Sequence, residues 1–176
     1  MDKYIWLLVV IFIFHDMEEI VGMRSFIEKD SGDVIAKYPF SENVLKIYKD
    51  IRTDAFAFAV YEELILLIII CLFVELTNAP LAIGIWFGGL IGFIIHLFVH
   101  LGQATIIRRY IPALATSIIC IPLSIWLALK SYSLLTMSPV LIVGICVGII
   151  GVAINLKFAH FLMKKFNTIS AHRDIG

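Results

Sequence analysis

Residues 4–22 read YIWLLVVIFIFHDMEEIVG, and the way this run ends decides the fold. Tyr4–Phe14 is an unbroken run of eleven apolar residues behind Lys3, which on its own resembles the core of an export signal. It gives way to His15-Asp16-Met17-Glu18-Glu19 rather than to a small-residue cleavage site, so the segment is expected to be retained. Eleven residues cannot cross about 30 Å of hydrocarbon, which takes about 20. The first helix must therefore continue to about Gly22. It carries His15, Glu18 and Glu19 into the membrane or to its inner margin.

Working outward, four further spans are expected at Ala55–Leu76, Leu81–Ile107, Pro112–Leu129 and Pro139–Met163. The composition agrees: 61% of the 176 residues are hydrophobic, 16% are charged, and the mean hydropathy is +0.98. A soluble domain runs nearer half apolar and a quarter charged. The expected fold is an all-α membrane protein, one domain over residues 1–176, built as a bundle of five transmembrane helices. Asn78-Ala79-Pro80 reads as a tight turn. Pro112 and Pro139 suit first helical turns, and Pro122 is expected to kink the fourth span. A net charge of zero excludes a basic field for nucleic acid. Cys71, Cys120 and Cys146 lie singly in apolar runs and form neither a disulfide framework nor a thiolate metal site.

Charge placement orients the bundle. Five spans put segment 24–54, the turn 108–111 and the C-terminus on one side, where twelve of the fourteen Lys and Arg residues fall, counting Lys157 with the inner end of its helix. Only Lys3 and Lys130 fall on the other. The positive-inside rule then places the N-terminus outside and the C-terminus in the cytoplasm, in the cytoplasmic membrane of a prokaryote. Within the cytoplasmic loop 24–54, Ser41 precedes an amphipathic pattern of Val44, Leu45, Tyr48 and Ile51. This is expected to be an interfacial helix, acting as a roof over a site or as an anchored connector. Tyr4, Trp6, Trp86, Trp126 and Tyr132 read in part as an interfacial aromatic belt.

Ionisable residues inside a span are expensive, so a cluster of them demands a reason. Glu18 and Glu19 come three and four residues after His15 and can share its face. His96 and His100 are four apart on the third span, with Gln103 next along the stripe. Gly88, Gly89 and Gly92, one or two turns earlier, would let a neighbouring helix approach closely. Glu62 and Glu63 lie on the second span and Asn155 on the fifth. His15, Glu62, His100 and Asn155 are each about seven residues from the inner end of a helix, hence about 10 Å below the cytoplasmic surface at 1.5 Å per residue. One shared layer implies one site. Imidazole and carboxylate without thiolate suit divalent zinc or iron, with manganese possible. The expected ligands are His15, Glu18, Glu62, His96 and His100, enough for one or two ions. Glu19, Glu63 and Asn155 are the expected catalytic groups. Several carboxylates in one intramembrane layer could not all stay ionised without a compensating cation. His160, beside Lys157, reads as solvated surface, and His172 as tail.

His15-Asp16-Met17-Glu18-Glu19 resembles the HXXEE-motif family of small prokaryotic integral membrane proteins. The Glu62/Glu63 and His96/His100 pairs look like its other acidic and histidine positions, over most of the chain. The resemblance implies a membrane enzyme and names no substrate. A looser likeness is to the CAAX-type intramembrane proteases, which use Glu-Glu and a later Arg, with His and Asn on other helices. Arg24 comes one residue late for that pattern, and the chain is short for it. Three readings are open. The first is a metal-dependent enzyme, hydrolase or di-iron oxidoreductase, acting on a hydrophobic or lipid-anchored substrate drawn from membrane lipid. The second is a metal-ion or proton transporter or relay. The third is a glutamate-dependent intramembrane protease. A homodimer is compatible with each.

Overall fold

The computed structural model describes residues 2–173, with side chains for 4–43 and 45–170. The side chains of Val44 and His172 lie outside that description. The order is α1 (Asp2–Lys37), a 3₁₀ turn (Pro39–Ser41), α2 (Glu42–Lys49), α3 (Thr53–Thr77), α4 (Pro80–Ile107), α5 (Leu114–Tyr132) and α6 (Pro139–Arg173). The described chain is all helix, without strands.

Four helices, α3 to α6, are long and apolar enough to cross a membrane. The first helix differs from its expected form in two ways. Its apolar half leads into Asp16, Glu18 and Glu19, so it lacks a fully apolar span. It also runs to Lys37 instead of ending near Gly22, so much of the expected loop is helix. The extension has a buried face: Phe26, Ile27 and Val34 pack with Ala104 and Ile111. Arg109, just past α4, ties to Asp30 and Asp33 beside that face, each at 2.9 Å. Gly32 is a single helix-weakening residue of about 1 kcal/mol, too little to break this stretch.

The core around the N-terminal half of α1 is apolar. Ile5, Leu8, Val9 and Ile11 of α1 meet Cys71, Val74, Trp86, Leu90, Leu97, Cys120 and Leu127. Trp86 is 1% exposed and donates to the Ile5 carbonyl at 3.3 Å. It is therefore a core residue, not part of an interfacial belt.

Helices α4 and α6 meet through glycine. A Cβ at Gly84 or Gly88 would collide with the backbone at Leu141 or Ile145, and one at Gly144 or Gly148 with that at Leu81 or Ile85. Gly92 faces Val152 in the same seam, whereas Gly89 has open space beside it. Small residues of this spacing let two helix backbones touch.

Asn78 closes α3 in the left-handed conformation at φ 48°. Pro112 falls before α5 rather than in its first turn, because left-handed Ala113 (φ 67°) separates the two. Pro122 sits within α5, which continues on both sides of it.

Candidate metal centre

Between α1 and α4 the structure gathers His15, Glu19, His96 and His100, with one ligand atom of each within 4.8 Å of all the others. The i,i+4 spacing of His96 and His100 puts both imidazoles on one face of α4, where their Nε2 atoms lie 3.0 Å apart. Nitrogens bound to one tetrahedral zinc at about 2.0–2.1 Å sit roughly 3.3 Å apart, so this pair needs little adjustment. His15 packs edge-on against both rings, at centroid distances of 5.5 and 5.2 Å.

Glu18 and Glu19 part company. Successive helical residues point about 100° apart, and only Glu19 turns toward the histidines. Glu18 crosses to α5 instead. It accepts from the backbone N–H of Thr116 at 2.6 Å and of Ala115 at 3.3 Å, from the Thr116 hydroxyl at 2.6 Å, and from Tyr110. The cap position of α5 is Ala113, which has no side-chain oxygen, and Glu18 supplies the missing acceptor from another helix. A carboxylate offers about four lone-pair sites. Those of Glu18 are taken, so it is poorly placed as the ligand expected from its spacing. The bond to Glu18 also pushes the Tyr110 hydroxyl up to about 12.

The same contacts settle the tautomer of His15. Thr116 has one hydroxyl hydrogen, and Glu18, an acceptor only, takes it. The Thr116 oxygen, 3.2 Å from His15 Nδ1, must then accept the Nδ1 hydrogen. That leaves Nε2 as the lone pair, and His15 Nε2 is buried with no hydrogen-bond partner. A histidine held through one nitrogen with the other free is the usual arrangement of a metal ligand. The donor set therefore fits a divalent ion.

The second acidic pair divides likewise. Glu63 lines a cavity of about 390 Å³ together with Asp16, Glu19, His96 and His100. Glu62 instead accepts from Asn155 Nδ2 at 3.4 Å, tying α3 to α6. Glu62 and Asn155 thus stand apart from the gathered four. His160, expected on a solvated surface, is half-buried on the cavity wall and bonded to the Tyr48 hydroxyl at 2.5 Å. Tyr48 and Leu45 bring α2 against the same cavity, as a roof. Burial, with Glu19 and Glu63 nearby, pushes the Tyr48 hydroxyl far up, so it keeps its proton.

A family described as "Protein of unknown function with HXXEE motif" has a sequence model that matches residues 6–127. The chain belongs to the HXXEE family. No curated protein and no solved structure matches it. The matched region of this HXXEE chain holds all four gathered residues, together with Glu18, Glu62, Glu63 and Thr116. Asn155 and His160, on α6, lie beyond it.

Three residues of the HXXEE site were missed in the sequence. Asp16 stands inside the motif, one turn before Glu19, and that register was its signal. Tyr48 was visible only as an apolar-face residue of α2. Thr116 had no signal, since a threonine in an apolar run is ordinary.

Proposed function

We propose that this HXXEE protein is an integral-membrane, metal-dependent hydrolase. One divalent ion is held by His15, Glu19, His96 and His100, and the substrate is hydrophobic or lipid-anchored. The observation that carries the reading is the convergence of those four residues beside a cavity of about 390 Å³, within the range of small-molecule sites at about 300–1,000 Å³. In this reading α1 is the fifth crossing, with the N-terminus outside and the C-terminus cytoplasmic. Its acids support that assignment by facing inward, Asp16 and Glu19 into the cavity and Glu18 onto α5.

Three imidazoles and a carboxylate suit zinc first, and accept iron or manganese. Among the described residues a single such group gathers, which favours one ion and hydrolysis over a two-iron oxidase. When bound, the ion supplies Lewis acidity toward a carbonyl or phosphoryl oxygen. Glu63, on the cavity wall, takes a proton from the attacking water. Asn155 holds Glu62, and so fixes the turn of α3 from which Glu63 projects. The roof, Leu45 and Tyr48, limits entry of bulk water.

A conducting relay is disfavoured by the apolar packing of Leu8, Val9, Leu90 and Leu97 in the outer core. A CAAX-type reading is disfavoured by Arg24, which pairs with Glu28 at 2.8 Å on the surface. The test is metal retention through dialysis of detergent-purified protein. Wild type and Glu63→Gln should keep an ion, whereas His96→Ala and His100→Ala should lose it while still inserting in the membrane. Equal metal content in all four would sink the assignment.

A further inference from the structure

Asp16 is a buried acid to which the proposed hydrolysis gives no task. It is 4% exposed, its Oδ2 has no hydrogen-bond partner, and it lines the cavity. Glu19 and Glu63 line the same cavity. Among the described residues no Lys or Arg lines it. The cavity thus presents three carboxyl groups, and the Asp16 oxygen without a partner is open to a hydrogen-bond donor on whatever enters.

The Tyr48–His160 pair points the same way. His160 Nδ1 lies 2.6 Å from the Leu156 carbonyl, which can only accept. In the neutral ring Nε2 is then the lone pair, and it accepts the Tyr48 hydroxyl hydrogen. Tyr48 is left with an oxygen lone pair for a ligand, so this wall offers acceptors. Most of the remaining wall is apolar, with Met23, Phe26, Leu45, Phe56 and Met163 among its members, beside Gln103 and Ser41, whose hydroxyl is spent on the Tyr38 carbonyl. An anionic head group would meet no cationic side chain here, and a protonated amine would meet Asp16.

We infer that the cavity takes a cationic amphiphile, its protonated amine held by Asp16 with the Tyr48 oxygen as a second acceptor, and its apolar body along the Met23–Phe26–Phe56 wall. This rests on the metal-centre reading and names its substrate class.

The test uses zinc-loaded full-length protein in lipid nanodiscs, titrated calorimetrically with hexylamine, hexanol and hexanoate against empty nanodiscs. Hexylamine should bind at least about tenfold more tightly than hexanol, with hexanoate weakest. Asp16→Asn should abolish the amine preference while retaining zinc. Tyr48→Phe, on α2, should reduce the preference severalfold, and it decides the matter if Asp16→Asn fails to fold. Hexanoate binding as tightly as hexylamine, no binding of any probe, or an undiminished preference in both variants would overturn the inference. Absence of zinc from the same samples would overturn the metal centre instead.

Discussion

Glu18 and Glu19 are adjacent in the chain and do different work, because one faces α5 and the other faces the histidines. Two predictions separate them. Glu18→Gln removes charge from the first turn of α5 and weakens a cap, an effect of about 1 kcal/mol. It should lower the melting temperature while sparing bound metal. Glu19→Gln should do the reverse, with loss of metal at little change in the melting of the metal-free protein. Thr116 supplies the third test. Thr116→Val removes the acceptor that fixes the His15 tautomer and should weaken metal binding about 10–100-fold, measured by chelator competition. Thr116→Ser keeps the oxygen and should stay within a few-fold of wild type. At this scale the spacing in the sequence was informative for His96 and His100, which share a face at i,i+4. It was silent on which of two neighbouring glutamates turns inward, because that depends on where α5 begins. The left-handed residues Arg108 and Ala113, which place that start, carry no mark in the sequence.

Helix boundaries were legible where proline and Asn fall, as at Asn78 and Pro139, and illegible where a polar surface sits on a buried stripe. Residues 23–37 carry six charged side chains and read as loop, yet Phe26, Ile27 and Val34 recur closely enough to keep α1 helical against α4. The glycine seam was half visible. Gly88 and Gly92 face α6 as their spacing suggests, but Gly89 does not, and Gly84 with its partners Gly144 and Gly148 completes the contact. Gly88→Val should therefore part α4 from α6, because the added carbon meets backbone that cannot yield. The cost should exceed the 1–3 kcal/mol of ordinary overpacking, measured by unfolding in mixed detergent. Gly89→Ala should be neutral or slightly stabilising, since open space and better helix propensity both favour it.

For the molecule as a whole, composition was enough to read helices in a bilayer, because no other solvent suits four such apolar segments. Orientation rests on the distribution of Lys and Arg. Single-cysteine labelling of sealed vesicles should find Ser31 and Ser41 reactive from the cytoplasmic face and Ser133 from the other. A cysteine at Lys3 reactive from the same face as Ser31 would remove α1 as a crossing and undo the assigned depth of the site. The central claim is that His15, Glu19, His96 and His100 hold an ion that completes the bundle. An ion that binds only the assembled helices must stabilise them, by about 2.7 kcal/mol at a hundredfold excess over its dissociation constant. The direct measurement is thermal unfolding of purified protein before chelation, after chelation and after return of zinc, iron or manganese, with metal content determined in each sample. One bound ion, a lower melting temperature on its removal and recovery with one of the three metals is the predicted result. Protein that purifies without metal, and whose melting is unchanged by chelator and by each added ion, would contradict it.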